Sequence, residues 1–259
     1  MTTRTHTNAQ YEDLHVEIHD APEALGRAAS EAARETLADA IRDRGQARVV
    51  LATGNSQLPF FTALRQNGAK VDWSRVETFH MDEYLGLDED HPASFRRFLR
   101  REVIEPLGIG TFHGIDGDPE RAEDTIAAYE ALLARAPIDL CCMGVGENGH
   151  LAFNDPPYAD FADPEVAKVV RLDETSRSQQ VGEGHFADLD AVPTHAITLT
   201  VPTLLRAARL LVIAPERRKA AAVRTALEGP IDPACPASVL RRAPHATLYL
   251  DRDSAAELS

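Results

Sequence analysis

The chain has 259 residues, 44% of them hydrophobic, with 41 acidic against 27 basic side chains and a formal net charge of −14. That length suits one large α/β domain or two small ones. The acidity argues against nucleic acid or an anionic membrane as a partner, because like charges repel, but it leaves room for a small anionic substrate in a locally positive pocket.

No internal repeat or linker interrupts the chain, so residues 1–259 read as a single domain with the polar first dozen residues (1–12) as a frayed tail. From Pro22, "PEALGRAASEAARETLADAIRDR" carries apolar residues at helical spacing until Gly45 stops it. "RVVLAT" (48–53) is a short, continuously apolar strand, followed by the turn "GNSQ" and a helix over 58–66. "RVETFH" is strand-like to His80, and "ASFRRFLRREVIEPLGI" and "PERAEDTIAAYEALLARA" are helical. "IDLCCMGVG" is a buried strand entering a glycine turn; "AKVVRL", "HAITLT", "ARLLVIAP" and "ATLYLD" are further strands, with the helix "RRKAAAVRTALEG" before the last. Strands alternating with helices predict an α/β fold: an open, mostly parallel, Rossmann-like sheet with helices on both faces.

Three cysteines, adjacent Cys141 and Cys142 and distant Cys235, form no disulfide framework and no C-x-x-C metal pattern. They read as buried thiols in a reducing cytoplasm. The N-terminus has no apolar signal core, and no stretch approaches the ~18 apolar residues of a membrane span.

In open α/β sheets ligands gather beyond the carboxyl ends of the strands, which nominates three loops. In the first, Thr53, Gly54, Asn55 and Ser56 lead into a helix. Free backbone N–H groups there suit a phosphate, although an ordinary capped turn has the same composition. In the second, Asp82 and Glu83 follow a strand. They are either a solvated pair or, for Asp82, a base able to take a proton from a carbon beside a carbonyl. His80 and Asp82 lack a matching third ligand, so no metal is expected.

The third loop, "GVGENGHLAFNDPP", contains G-x-G-x-x-G after a strand. A dinucleotide fingerprint needs a helix opening at the third glycine. Here Pro156, Pro157 and Pro164 intervene, and a proline inside a helix costs about 3 kcal/mol. The loop reads better as the bearer of His150, a natural proton shuttle near neutral pH, with Asn148 and Asp155 beside it to orient the ring.

"MDEYLGL" followed by "GVGENGHLAFNDPP" and "KAAAVRTALEG" closely resembles the glucosamine-6-phosphate deaminase/isomerase family, which shares its fold with the 6-phosphogluconolactonases. The resemblance runs over nearly the whole chain. It implies that His150 moves a proton to and from the ring oxygen and that Asp82 transfers a proton from carbon 2 to carbon 1. Water then releases ammonia, leaving fructose-6-phosphate, and no cofactor is required. It also implies that the Thr53–Ser56 turn and Lys219 hold the phosphate. Three positions depart from the family pattern. Asn148 stands where an aspartate is usual, Asp155 where a glutamate is usual, and Val181 where an arginine clamps the phosphate; Arg177 is the nearest substitute. Alternatives on the same fold are a lactonase, another hexose-phosphate isomerase or deaminase, and a non-catalytic sugar-phosphate sensor. A sensor of that kind works through a DNA-binding module, for which the N-terminal segment is too short and the charge is wrong. A homo-oligomer is compatible with the sequence.

Overall fold

The structure, a computed structural model, describes residues 6–66, 71–156 and 158–259. The start of the expected tail (1–5) and Pro157 of the glycine-rich stretch lie outside these. In chain order the elements are β1 (His6–Tyr11), β2 (Leu14–His19), α1 (Pro22–Arg44), β3 (Ala47–Leu51), α2 (Leu58–Gln66), β4 (Val76–His80) and β5 (Asp82–Tyr84). Then come α3 (Phe95–Leu99), joined through a π-turn to α4 (Glu105–Leu107), β6 (Thr111–His113), α5 (Ala122–Leu133), β7 (Leu140–Met143) and β8 (Ala167–Arg171). The last are α6 (Glu174–Gly182), β9 (His195–Leu199), α7 (Val201–Leu205), β10 (Arg209–Ala214), α8 (Ala220–Glu228) and β11 (Ala246–Asp251).

Eight strands form one sheet in the order β1-β2-β11-β10-β7-β3-β4-β6, parallel throughout except for the β1–β2 hairpin. The continuous apolar runs are explained by burial on both faces. Val49, Leu51, Cys142, Leu211 and Ile213 pack with α1 and α2 on one side. Val50, Cys141, Met143, Leu210 and Val212 pack with α7 and α8 on the other. The adjacent thiols Cys141 and Cys142 therefore point to opposite faces, and burial raises both above the usual thiol range. The long helix α1 stops where the pattern predicts: Gly45 takes the left-handed conformation (φ 78°) and donates its N–H to the Ile41 carbonyl at 2.8 Å.

Two expectations are corrected. Residues 6–11 are no frayed tail: they pair along their whole length with β2 as the edge strand. "AKVVRL" and "HAITLT" do not join the main sheet either. As β8 and β9 they pair antiparallel with each other, and β9 pairs antiparallel with β5, forming a separate three-stranded sheet. Alternation with helices cannot distinguish a strand of the main sheet from one of a side sheet.

The order of connection fixes the site. From β3 the chain proceeds to β4 and β6 on one side, while β7 leads to β10 and β11 on the other. The crevice between the carboxyl ends of β3 and β7 is thus the topological switch point.

Candidate active site

A cleft opens at this point, where ligands of open α/β sheets gather. It is lined by Thr53, Gly54 and Ser56 after β3, by Met81 and Asp82 after β4, and by Gly144, Gly146 and His150 after β7. Phe95, Phe153, Lys219, the α6 side chains Gln179 and Gln180, and Glu183 just past that helix also line it. All three nominated loops therefore meet.

The glycines of the third loop serve the histidine. Gly146 donates its N–H to the His150 carbonyl at 2.9 Å, and the ring lies so close that a Cβ on Gly146 would sit 2.2 Å from it. Gly149 has φ +85°, and a Cβ there would come 2.7 Å from the Cys235 sulfur. Both positions require glycine for packing the turn, and neither requirement concerns a nucleotide.

Behind the ring lies a buried polar network. His150 Nδ1 lies 3.1 Å from Asp155 Oδ1 and 3.0 Å from Ser176 Oγ, and the Ser176 hydroxyl donates in turn to Asp155 Oδ1. Asn148 donates its amide to Asp155 Oδ1 at 3.0 Å and accepts the His150 backbone N–H at 3.0 Å. Burial alone would raise the Asp155 carboxyl. The hydrogen bonds and charge of His150, with those of Asn148 and Ser176, outweigh it and hold the group below the usual carboxylate range. A carboxylate at Nδ1 keeps that proton in place and leaves Nε2 as the exchanging nitrogen. Asn148 thus braces Asp155 and the turn, with no hydrogen bond to the imidazole.

Asp82 is the first residue of β5, where the chain crosses from the large sheet to the small one. Its side chain is 6% exposed and takes no hydrogen bond among the described residues. Burial, reinforced by the neighbouring charge of Glu83, raises its carboxyl well above the usual range, so it is a stronger base than an exposed aspartate. Glu83 itself is structural. It is fully buried, accepts the backbone N–H groups of Phe95 and Arg96 at the start of α3 at 3.1 and 2.9 Å, and accepts Ser94 Oγ at 3.0 Å. It fastens β5, and with it Asp82, to that helix. His80 is committed elsewhere: its Nε2 accepts the Ile115 N–H at 2.7 Å, and burial lowers the imidazole to about 3, so it stays neutral. No cluster of three or more His, Cys, Asp or Glu side chains suited to a metal occurs among the described residues.

At the other end of the cleft, Asn55 and Ser56 open a helical turn whose first N–H groups find no backbone acceptor among the described residues. The Asn55 amide turns away, donating to the Glu183 carbonyl at 3.4 Å. Lys219 is 2% exposed and has no hydrogen-bond acceptor among the described residues. Burial first, then Arg218, lowers its ammonium to about 8, so it is charged at neutral pH. A buried, unpaired ammonium beside free N–H groups is a seat for an anion. The turn bearing it starts at Glu216, whose φ of 82° and ψ of 142° are strained for a non-glycine residue, at a cost on the order of 1–3 kcal/mol. Asp251 holds it there by accepting the Glu216 N–H at 3.1 Å.

Arg177 does not join this seat. Its guanidinium donates to the carbonyls of Leu189 and Val192 and fastens the loop after α6. The helix explains why: Arg177 and Val181 are one turn apart on the face toward the small sheet, and Val181 packs on the Tyr84–Phe153 cluster. Ser176, Gln179, Gln180 and Glu183 share the cleft face. Sequence reasoning missed all four, although their i, i+3, i+4, i+7 polar stripe was the available signal. Gln179 is well tied, accepting the Glu147 N–H at 3.1 Å and donating to Glu183 Oε1 at 2.8 Å.

The sequence profile of the family described as Glucosamine-6-phosphate isomerases/6-phosphogluconolactonase matches residues 20–249. A Streptomyces avermitilis protein named glucosamine-6-phosphate deaminase is 38% identical over 251 residues, spanning 94% of this chain and 93% of the relative. A Bacillus thuringiensis protein of the same name is 32% identical over 241 residues, with coverage of 93% and 88%. Among solved structures, a monomeric glucosamine-6-phosphate deaminase superposes with a TM-score of 0.84 at 28% identity, over 93% of this chain and 99% of that one. A 6-phosphogluconolactonase from Shewanella baltica gives 0.74 at 21% identity, over 94% and 100%, a likeness of fold alone.

Proposed function

The chain belongs to the glucosamine-6-phosphate isomerase/6-phosphogluconolactonase family, and within it we propose that this protein is a glucosamine-6-phosphate deaminase. It converts glucosamine-6-phosphate and water to fructose-6-phosphate and ammonia. One observation carries the reading: an unpaired, buried carboxylate and a carboxylate-backed imidazole face the same cleft as an unpaired, buried ammonium. That is a base, a proton shuttle and an anion anchor around one small molecule.

His150 Nε2 assists ring opening by passing a proton to the ring oxygen and receiving the one lost from the carbon-1 hydroxyl. In the open aldehyde, Asp82 takes the proton on carbon 2, and the electron pair forms an enolamine between carbons 1 and 2. Asp82 returns the proton to carbon 1, leaving an imine at carbon 2. Water adds there and ammonia leaves, giving the ketose. Each transfer needs a positioned group in a largely dry cleft. Asp155 keeps His150 in one tautomer. Lys219 and the turn at Thr53, Gly54, Asn55 and Ser56 bind the phosphate and so fix carbon 2 against Asp82.

A cytoplasmic setting is supported by three buried, unpaired cysteines. No helix among the described residues is long and apolar enough to cross a membrane. Ammonia release from glucosamine-6-phosphate tests the activity. A folded wild-type protein that releases none, or that instead hydrolyses 6-phosphogluconolactone, overturns it.

A further inference from the structure

A carboxylate stands beside the anion seat. Glu183, just past the end of α6, has a side chain only 6% exposed, and its Oε2 lies 4.0 Å from where a Cβ on Gly54 would be. It therefore lies near the turn that is proposed to receive the phosphate. Its carboxylate is held as a bound oxyanion would be: Arg218 donates to Oε1 at 2.5 Å, Gln179 to the same oxygen at 2.8 Å, and His185 Nε2 lies 3.4 Å from Oε2. Burial opposes its charge, but the hydrogen bonds of His185 and Arg218 prevail and hold it at about 2, fully ionised at neutral pH.

Arg218 is built to face this place. It precedes Lys219, and its Nε donates to Glu216 at 2.5 Å, so the strained residue at the base of the turn also aims the guanidinium. It serves three carboxylates, those of Glu147, Glu183 and Glu216. With Lys219 the group carries two positive and three negative charges. A phosphate dianion cannot enter beside Glu183 without strong repulsion, yet it can take over every partner Glu183 has. The backbone of the segment is tied to α6 by the Glu183, Gly184 and His185 N–H groups, so the exchange involves the Glu183 side chain alone.

Accepting that the turn and Lys219 are the phosphate seat, we infer that Arg218 is the phosphate clamp of this protein and that Glu183 is a built-in stand-in which the substrate phosphate displaces. Arg218 thus takes the role left open at Val181, from a different element. The exchange selects for charge. A monoanion replaces one carboxylate by its equal, whereas a dianion gains an additional interaction with Arg218 and Lys219.

Inorganic phosphate is the probe, measured by calorimetric titration and by inhibition of ammonia release, on the wild-type full chain and on Arg218→Met, Glu183→Gln and the double variant. Arg218→Met should weaken phosphate binding and raise the KM for glucosamine-6-phosphate on the order of tenfold to hundredfold, the worth of a charge-assisted hydrogen bond, with kcat nearly unchanged. Glu183→Gln should tighten phosphate binding several-fold, and it keeps the test decisive if Arg218→Met folds poorly. In the double variant the gain from Glu183→Gln should shrink to what relief of repulsion alone gives, because Arg218 is no longer released. Unchanged phosphate affinity in Arg218→Met overturns the inference, as does weaker binding in Glu183→Gln or the absence of phosphate binding by the wild type. Arg218-dependent phosphate binding without ammonia release would instead sink the deaminase reading alone. Ammonia release with Arg218-independent phosphate binding would sink this one alone.

Discussion

The two ends of the cleft are built on opposite plans. Around His150 the polar atoms are tied within one small network: Asp155, Ser176 and Asn148 hold one another and the ring. Around Lys219 the ammonium is unpaired and the neighbouring arginine is shared among three carboxylates. The contrast follows from what each end does in the proposed reaction. Groups that act on a transition state gain by being fixed beforehand. Groups that only hold the substrate can exchange partners when it arrives, because their interaction is similar before and during reaction.

Mutations should therefore separate into kcat and KM effects. The largest loss is expected at the reacting groups: Asp82→Asn and His150→Ala should each lower kcat by on the order of 10²–10⁴-fold, with KM little changed, in an ammonia-release assay. A dominant KM effect at either would erase the contrast. Gly146→Ala should follow, because the methyl group displaces the ring; kcat should fall while circular dichroism stays native. Lys219→Met should raise KM by about tenfold to hundredfold at near-constant kcat.

The pH dependence sharpens the same division. Lys219 loses its proton as pH rises through about 8, so KM should climb above that value, and Lys219→Met should abolish the climb. Asp82, raised above the usual carboxylate range, is protonated as pH falls, so kcat should drop on the acid side at a higher pH than an exposed aspartate would give. The smallest effect is expected from Ser176→Ala. Asp155 remains against the ring, and kcat should fall by about tenfold, near the lower end of what a hydrogen bond to a charged group is worth.

Much of this was legible in the sequence because it depends on local pattern. Apolar runs buried on both faces announced the parallel strands, and the strand-end rule brought Thr53, Asp82 and His150 to one crevice. What escaped depends on the direction in which a side chain leaves its element. Arg177 and Ser176 are adjacent, yet a helix turns about 100° per residue, so one fastens a loop and the other reaches Asp155. Likewise β8 and β9 have the composition of parallel strands, and only their pairing with β5 shows that they form a second sheet. The partner of Arg218 lies 35 residues earlier, beyond any spacing argument.

Met81 is the one residue between β4 in the large sheet and β5 in the small one. His150 stands on a turn from the large sheet, and Asp82 belongs to the small one. The proposed reacting pair is thus divided between two sheets that share one core: Ala167, Ile197 and Leu199 of the small sheet pack into the main cluster, while Tyr84 and Phe153 lie in a smaller cluster. The distance between base and proton shuttle is therefore set by how the two sheets pack, and turnover reports on that packing.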